Sequence, residues 1–227
     1  MEFVGIDKFS LLDYDEKVSV VLFSPACNFR CPFCHNGESV LNANTPIPFD
    51  EIYDFLKSRV GLIDAVVFTG GEPTLMAELK NRIKQVKELG FLIKLDTNGT
   101  HPNILEDLLN EGLLDYVAMD IKNSEKMYAS TSGCPFVNLE NIRKSIEILK
   151  NSNVDYEFRT TLVKEFHTEE SINEMKELVK GAKKIYLQKF VDREGVIQKG
   201  LHEISLEEAI HFKNILSPVI PTELRGY

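Results

Sequence analysis

No apolar run in this 227-residue chain approaches the roughly 20 residues that a membrane-spanning helix requires. Its opening, MEFVGIDKFS, lacks both the basic region and the long apolar stretch of a secretory signal. The expected compartment is therefore the cytoplasm, with no membrane partner. Excess positive charge is missing too: 26 Lys and Arg stand against 35 Asp and Glu, a formal charge of -9. No general basic field favours nucleic acid. No low-complexity tract, short repeat or Pro/Gly/Ser-rich linker divides the chain. One domain over residues 1–227 is expected, with residues 1–17 and 203–227 as additions to its core. Cysteine is scarce, and three of the four fall between Cys27 and Cys34. That is too few and too clustered for a disulfide framework, and in a reducing compartment such a cluster indicates metal or redox chemistry.

What is present is ordinary globular composition, 43% hydrophobic and 27% charged, which suits a sizeable core and excludes disorder, collagen and coiled coil. Runs rich in β-branched and aromatic residues recur at Val18–Phe23, Ala65–Phe68, Phe91–Leu95, Tyr116–Met119, Asp155–Thr160 and Lys184–Leu187. Nearly all are too continuous in hydrophobicity for one-sided sheets, as in buried parallel strands. Helical spacing lies between them: Leu75, Leu79, Ile83, Val86 and Leu89 before Gly90; Leu105, Leu108 and Leu109 after Pro102; Ile142, Ile146 and Leu149; and Thr168 to Gly181. Ser205 and Glu208 have capping-box spacing and open a last helix through Ile210 and Phe212. Strand–helix alternation implies parallel βαβ units, and about six of them predict a curved, partly open (β/α)6 TIM-type barrel with outer helices. Ligands of such sheets sit at the carboxyl ends of the strands.

The first strand runs into Cys27-Asn28-Phe29-Arg30-Cys31-Pro32-Phe33-Cys34-His35-Asn36. Three thiols at C-x3-C-x2-C spacing can converge on a soft-metal centre and leave one coordination position open. The bland alternative is zinc on Cys27, Cys31, Cys34 and His35 or a distant ligand, but structural zinc usually joins two Cys/His couples and no second couple exists here. After the second strand comes Gly70-Gly71-Glu72-Pro73. Its glycines permit close approach by a ligand and its carboxylate can pair with an ammonium, although a plain strand-to-helix turn reads the same way. The third strand ends in Asp96-Thr97-Asn98-Gly99 and the fourth in Ala118-Met119-Asp120-Ile121-Lys122. Each could be only a turn or an incidental surface pair.

Together these segments resemble the radical S-adenosylmethionine (SAM) enzymes, whose motif is C-x3-C-x-aromatic-C, with Phe33 in the aromatic place. The resemblance implies that Cys27, Cys31 and Cys34 bind a [4Fe-4S] cluster whose fourth iron is chelated by SAM. One-electron cleavage of SAM would then give methionine and a 5'-deoxyadenosyl radical that abstracts hydrogen from the substrate. It also implies that the Gly70-Gly71-Glu72 turn meets the SAM amine and that Phe33 lies beside adenine. The D-T-N-G and D-x-K segments are similar to those of the pyruvate formate-lyase activating subgroup. There Asp120 and Lys122 help hold SAM with Thr97 and Asn98 nearby, and Arg159 faces it. By the same resemblance Asp96, Thr97, the Ala118 carbonyl and Asp120 would ligate a monovalent cation.

Phe9 to Tyr14, Cys27 to Asn36, YLQKF from Tyr186 and the closing Leu224-Arg225-Gly226 resemble the activating proteins of anaerobic ribonucleoside-triphosphate reductase. That resemblance implies hydrogen abstraction from a glycine Cα of a glycyl radical enzyme, with a flavodoxin or ferredoxin as electron donor. One departure is Asp15-Glu16 where the subgroup has Pro-Gly, which implies a lost tight turn. The expected chain, short and without an appended substrate domain, leans toward a barrel mouth covered by a large partner. The alternatives are SAM chemistry on a small molecule, peptide or RNA, and a non-catalytic metal or electron-transfer module. Cys134 reads as a free loop thiol, and His101, His167, His202 and His211 as surface or cap residues, while His35 faces the site.

Overall fold

The computed structural model describes residues 2–37, 40 and 45–227; Met1, where the expected N-terminal addition begins, lies outside them. Eight strands form one sheet in sequential order. They are β1 (Gly5–Ser10), β2 (Ser19–Ser24), β3 (Ala65–Gly70), β4 (Leu92–Thr97), β5 (Tyr116–Asp120), β6 (Asp155–Leu162), β7 (Ile185–Lys189) and β8 (Thr222–Arg225). β1 runs antiparallel to β2, and every later pair is parallel. The crossovers carry α1 (Phe49–Lys57), α2 (Leu79–Glu88), α3 (Pro102–Asn110), α4 (Glu125–Ser132), α5 (Leu139–Lys150), α6 (Glu169–Val179) and α7 (Leu206–Leu216). Six β/α units thus run from β2 to β8 as a curved, open (β/α)6 sheet, with β1 and β8 at its edges. No helix among the described residues is long and apolar enough to cross a membrane.

All six expected strands form, within two residues at each end. They read as continuous hydrophobic runs because both faces are covered. One face sends Val20, Leu22, Val66, Phe68, Ile93, Leu95, Val117 and Met119 into the main core with the helices. The inward face carries a small apolar cluster of Tyr14, Val21, Ala65 and Val67, joined by Phe23, Leu92 and Tyr116. Tyr14 packs on Tyr116 with ring centroids 5.3 Å apart, so the N-terminal segment closes the sheet's interior from below. Above that plug the same face turns polar, with Lys94 and Asp96 next along β4 after Leu92.

Four elements carry little sequence signal. β1 (GIDKFS) and β8 (TELR) are half-exposed edge strands, α1 opens directly after Pro48, and α4 (EKMYASTS) is weakly amphipathic. Leu75 ends a short 3-10 turn, Pro73–Leu75, rather than opening α2. Thr168 caps α6 in a reciprocal box with Ser171, and the Ser205 hydroxyl accepts the Glu208 N–H at 3.2 Å.

The turn expected to be lost at Asp15-Glu16 survives. The Lys17 N–H donates to the Tyr14 carbonyl at 3.1 Å. Glu16 takes φ +61, the one left-handed non-glycine among the described residues. A side chain there costs about 1 kcal/mol. Glu16→Gly is therefore expected to stabilise the protein by about 1 kcal/mol, read as a raised urea midpoint at unchanged slope.

His167 corrects its surface assignment: it is 2% exposed. Its Nδ1 accepts the Val163 N–H at 3.1 Å and its Nε2 donates to the Lys122 carbonyl at 3.0 Å. Burial holds its pKa down at about 4, against 6.5 in the open chain. The native state keeps this imidazole neutral while the unfolded chain protonates it below 6.5. Stability from this residue is therefore complete above 6.5 and lost as pH falls to about 4. Urea unfolding should show a loss of about 3 kcal/mol across that window, with a flatter profile in His167→Gln.

Candidate active site

A cavity of about 380 Å³ opens at the carboxyl ends of the strands and is lined by Cys27, Cys31, Phe33, Cys34, His35, Gly70, Gly71, Glu72, Asp96, Thr97, Asn98, Asp120, Lys122 and Arg159. Its volume falls within the range of small-ligand sites. Of the residues singled out for chemistry, only Ala118 lies off its wall, fully buried in the middle of β5. Cys134 sits outside it, in the loop after α4.

The cysteine loop is tied down from three sides. The Asn36 amide donates to the Gly70 carbonyl at 3.0 Å. The Asn98 amide donates to Asn28 Oδ1 at 2.8 Å, and the Asn28 amide to Thr100 Oγ1 at 2.9 Å. The Arg30 N–H meets the Ser132 carbonyl at 2.9 Å. The glycines make this packing possible. A Cβ on Gly71 would fall 2.1 Å from the Ala26 carbonyl oxygen, and one on Gly133 2.0 Å from that of Arg30. His35 stacks on Phe190 and reaches the Val191 carbonyl at 2.9 Å, so it braces the loop against the end of β7.

All three cavity cysteines are free thiols. Burial pushes Cys27 up to about 12, Cys31 up to about 11 and Cys34 upward as well, with the Lys122 ammonium opposing. Thiols this buried give up their protons to a metal, not to water. Among the described residues no three His, Cys, Asp or Glu side chains come close enough to share one ion. Three soft thiolate donors from one loop, leaving one coordination position open, are the donor chemistry of an iron–sulfur cluster. The donor set fits an iron–sulfur cluster.

Glu72 is 1% exposed, and all its partners are neutral. Oε1 accepts the Thr74 N–H at 3.1 Å, the Thr74 hydroxyl at 2.5 Å and the Thr97 hydroxyl at 2.8 Å; Oε2 accepts only the Asn98 N–H, at 2.6 Å. Burial raises its pKa against the pull of those donors. A buried carboxylate with neutral partners on the wall of a cavity suits an incoming ammonium group. Glu72 also straps the β3 turn to the end of β4, a second duty its sequence position does not disclose.

A second group of lining residues is ionic. Arg159 donates from Nη1 to Asp96 Oδ2 and from Nε to Asp120 Oδ1, each at 3.1 Å. Lys122 reaches Asp120 Oδ2 at 2.9 Å. Burial would raise Asp120, but Lys122 and Arg159 outweigh it and hold its pKa at about 2. Asp96 is likewise lowered, burial being outweighed by Arg159 and Lys94. Lys94, 5% exposed inside β4, backs this group through its pairing with Asp96 and was not singled out. A lysine within the hydrophobic run FLIKLD was its only sequence signal.

The Radical SAM superfamily pattern matches residues 21–179, which carry the cysteine loop and the ends of β2 to β6. The chain belongs to the radical SAM superfamily. Membership implies SAM and an iron–sulfur cluster as cofactors. A Methanocaldococcus jannaschii protein provisionally named a glycyl-radical enzyme activating enzyme is 38% identical over 193 residues, 82% of this chain and 78% of that one. A Sulfurisphaera tokodaii protein provisionally named GTP 3',8-cyclase is 31% identical over 150 residues, 63% of this chain but 46% of its own length. In fold the chain is similar to a radical SAM methyltransferase from Sphaerobacter thermophilus, with TM-score 0.75, 17% identity and coverage of 93% of this chain and 67% of that one.

Proposed function

We propose that this radical SAM protein is an activase that installs a glycyl radical on a partner enzyme, with anaerobic ribonucleoside-triphosphate reductase as the first candidate. The observation that carries the SAM reading is the single cavity joining three free thiols, Cys31 buried and Cys27 and Cys34 half-buried, to an anionic Glu72 and to the cations Lys122 and Arg159. Cys27, Cys31 and Cys34 would hold a [4Fe-4S] cluster. Glu72 would take the SAM amine, Lys122 and Arg159 its carboxylate, and Phe33, packed on Phe166 with centroids 6.0 Å apart, would offer an apolar wall to adenine. With cluster and SAM bound, one electron from a flavodoxin or ferredoxin would supply methionine and the 5'-deoxyadenosyl radical that takes hydrogen from a glycine Cα. The chain's own part is to orient the amino-acid end of SAM by opposite charges and to keep water from the wall that Phe33 lines. The activase assignment draws its support from the relative matched over most of both chains. A second reading, SAM chemistry on a small molecule, draws on the resemblance to provisionally named GTP cyclases.

Anaerobic reconstitution, reduction and addition of SAM should yield 5'-deoxyadenosine and methionine. With the candidate reductase present, a glycine-centred radical should appear in the partner by electron paramagnetic resonance. SAM cleavage that never transfers a radical to any glycyl radical enzyme would sink the activase reading and leave the small-molecule one.

A further inference from the structure

The oxygen set expected for a monovalent cation does not assemble as a cage. The Thr97 hydroxyl donates to Glu72 and accepts the Gly99 N–H at 3.2 Å. Ala118 is buried in mid-strand. Asp96 Oδ2 holds both Arg159 and the Thr69 hydroxyl, each at 3.1 Å, and both Asp120 oxygens hold cations. Asp96 Oδ1 alone has no aligned hydrogen bond, and beside it, at 3.2 Å, lies the Lys94 ammonium.

We propose that Lys94 is the built-in monovalent cation of this site, so that SAM binding, if the function proposed above holds, needs neither sodium nor potassium. The ammonium meets Asp96 Oδ1, the one carboxylate oxygen of the expected set without an aligned hydrogen bond. It donates to the main-chain carbonyl of Asp13 from the N-terminal plug, pairs with Asp96 Oδ1, and lies 5.8 Å from the centroid of the Tyr116 ring. Oxygen, carboxylate and ring face are ligands that a potassium ion also accepts. The charges agree. Lys94, Lys122 and Arg159 meet two carboxylates, Asp96 and Asp120, so this ion cluster, with Lys94 behind the cavity wall, already carries one net positive charge. A metal ion would add a second positive charge where no carboxylate oxygen is without a cation. The placement follows from the strand: Lys94 and Asp96 share the inward face of β4, two residues apart, and Lys94 is too buried to serve solubility.

The test compares SAM affinity of the reconstituted protein, by equilibrium dialysis, in choline, sodium and potassium chloride at one ionic strength. Wild type should bind equally in all three, within about twofold. Lys94→Met keeps the chain length but opens the Asp13 and Asp96 oxygens. It should lose about tenfold in choline and recover in sodium or potassium, with Lys94→Gln behaving alike should the methionine variant fold poorly. A wild-type affinity that rises tenfold from choline to either metal salt would overturn the proposal. Sodium NMR line width on protein without SAM gives an independent answer. Broadening is expected from Lys94→Met and not from wild type, and potassium-competed broadening by wild type would overturn the proposal even if SAM bound in no salt. Absence of SAM binding in every salt counts against the proposed function instead.

Discussion

Cys31→Ala is expected to remove the iron–sulfur cluster and with it all SAM cleavage, while leaving the fold intact. Cys31 is the deepest of the three cavity thiols, 7% exposed, and sits at the centre of the loop, where the Cys34 N–H bonds its carbonyl at 2.9 Å. Alanine keeps that backbone bond and removes one sulfur, which should cost about 1 kcal/mol of stability. Two remaining thiols cannot supply the three ligands a SAM-type cluster takes from protein. Iron after anaerobic reconstitution should fall from about four per chain to background, since cluster binding needs all three thiolates. Cys134→Ala supplies the contrast. Its thiol lies outside the cavity, so cluster content and 5'-deoxyadenosine yield should match wild type. Full iron loading in Cys31→Ala would end the assignment of the triad, and loss in Cys134→Ala would recast that thiol as a ligand.

Much of the site was legible because its chemistry is local. C-x3-C-x2-C places three sulfurs by spacing alone, and Gly70-Gly71-Glu72, Asp96 and Asp120 stand where hydrophobic strands stop, where such sheets bind ligands. The partners of those residues were not legible, because they come from far along the chain. Glu72 reads as a free clamp, yet it is held by Thr97 and Asn98 from the next strand. Lys94 looks out of place until the Asp13 carbonyl arrives from the N-terminal plug, and His167 looks like a cap residue until the Lys122 carbonyl, 45 positions earlier, accepts a hydrogen bond from its Nε2. Asp15-Glu16 reads as a broken turn because the subgroup it resembles has Pro-Gly there, the residues a tight turn favours. The Tyr14–Tyr116 packing and the Arg225–Asp15 pair at 3.4 Å act on the segment from outside, and Glu16 takes the left-handed conformation. Edge strands and short helices escaped for the same reason: tertiary contacts, not periodicity, hold them.

Arg159→Met should destabilise the protein by about 3–5 kcal/mol at neutral pH and weaken SAM binding at least tenfold, the two effects having one origin. The Arg159 side chain is 14% exposed, and its guanidinium spans Asp96 and Asp120, the two carboxylates at the ends of neighbouring strands β4 and β5. Methionine fills similar volume but leaves Asp96 Oδ2 with only the Thr69 hydroxyl and Asp120 with only Lys122. Each carboxylate then keeps a single lysine, Lys94 on Asp96 and Lys122 on Asp120, and the SAM carboxylate would meet a site poorer by one positive charge. The acid dependence separates this cause from simple loss of packing. In wild type both carboxylates have pKa values below 3.8, Asp120 at about 2. Their pairing therefore stabilises the fold fully above pH 3.8 and is lost as pH falls toward 2. Without the guanidinium those pKa values rise, so the gap between variant and wild type should be widest at pH 7 and close as both carboxylates protonate. Urea unfolding at a series of pH values measures it. A gap that stays constant down to pH 2 would assign the loss to packing, and Arg159→Lys, which restores charge but not the two-armed reach, should recover only part of it.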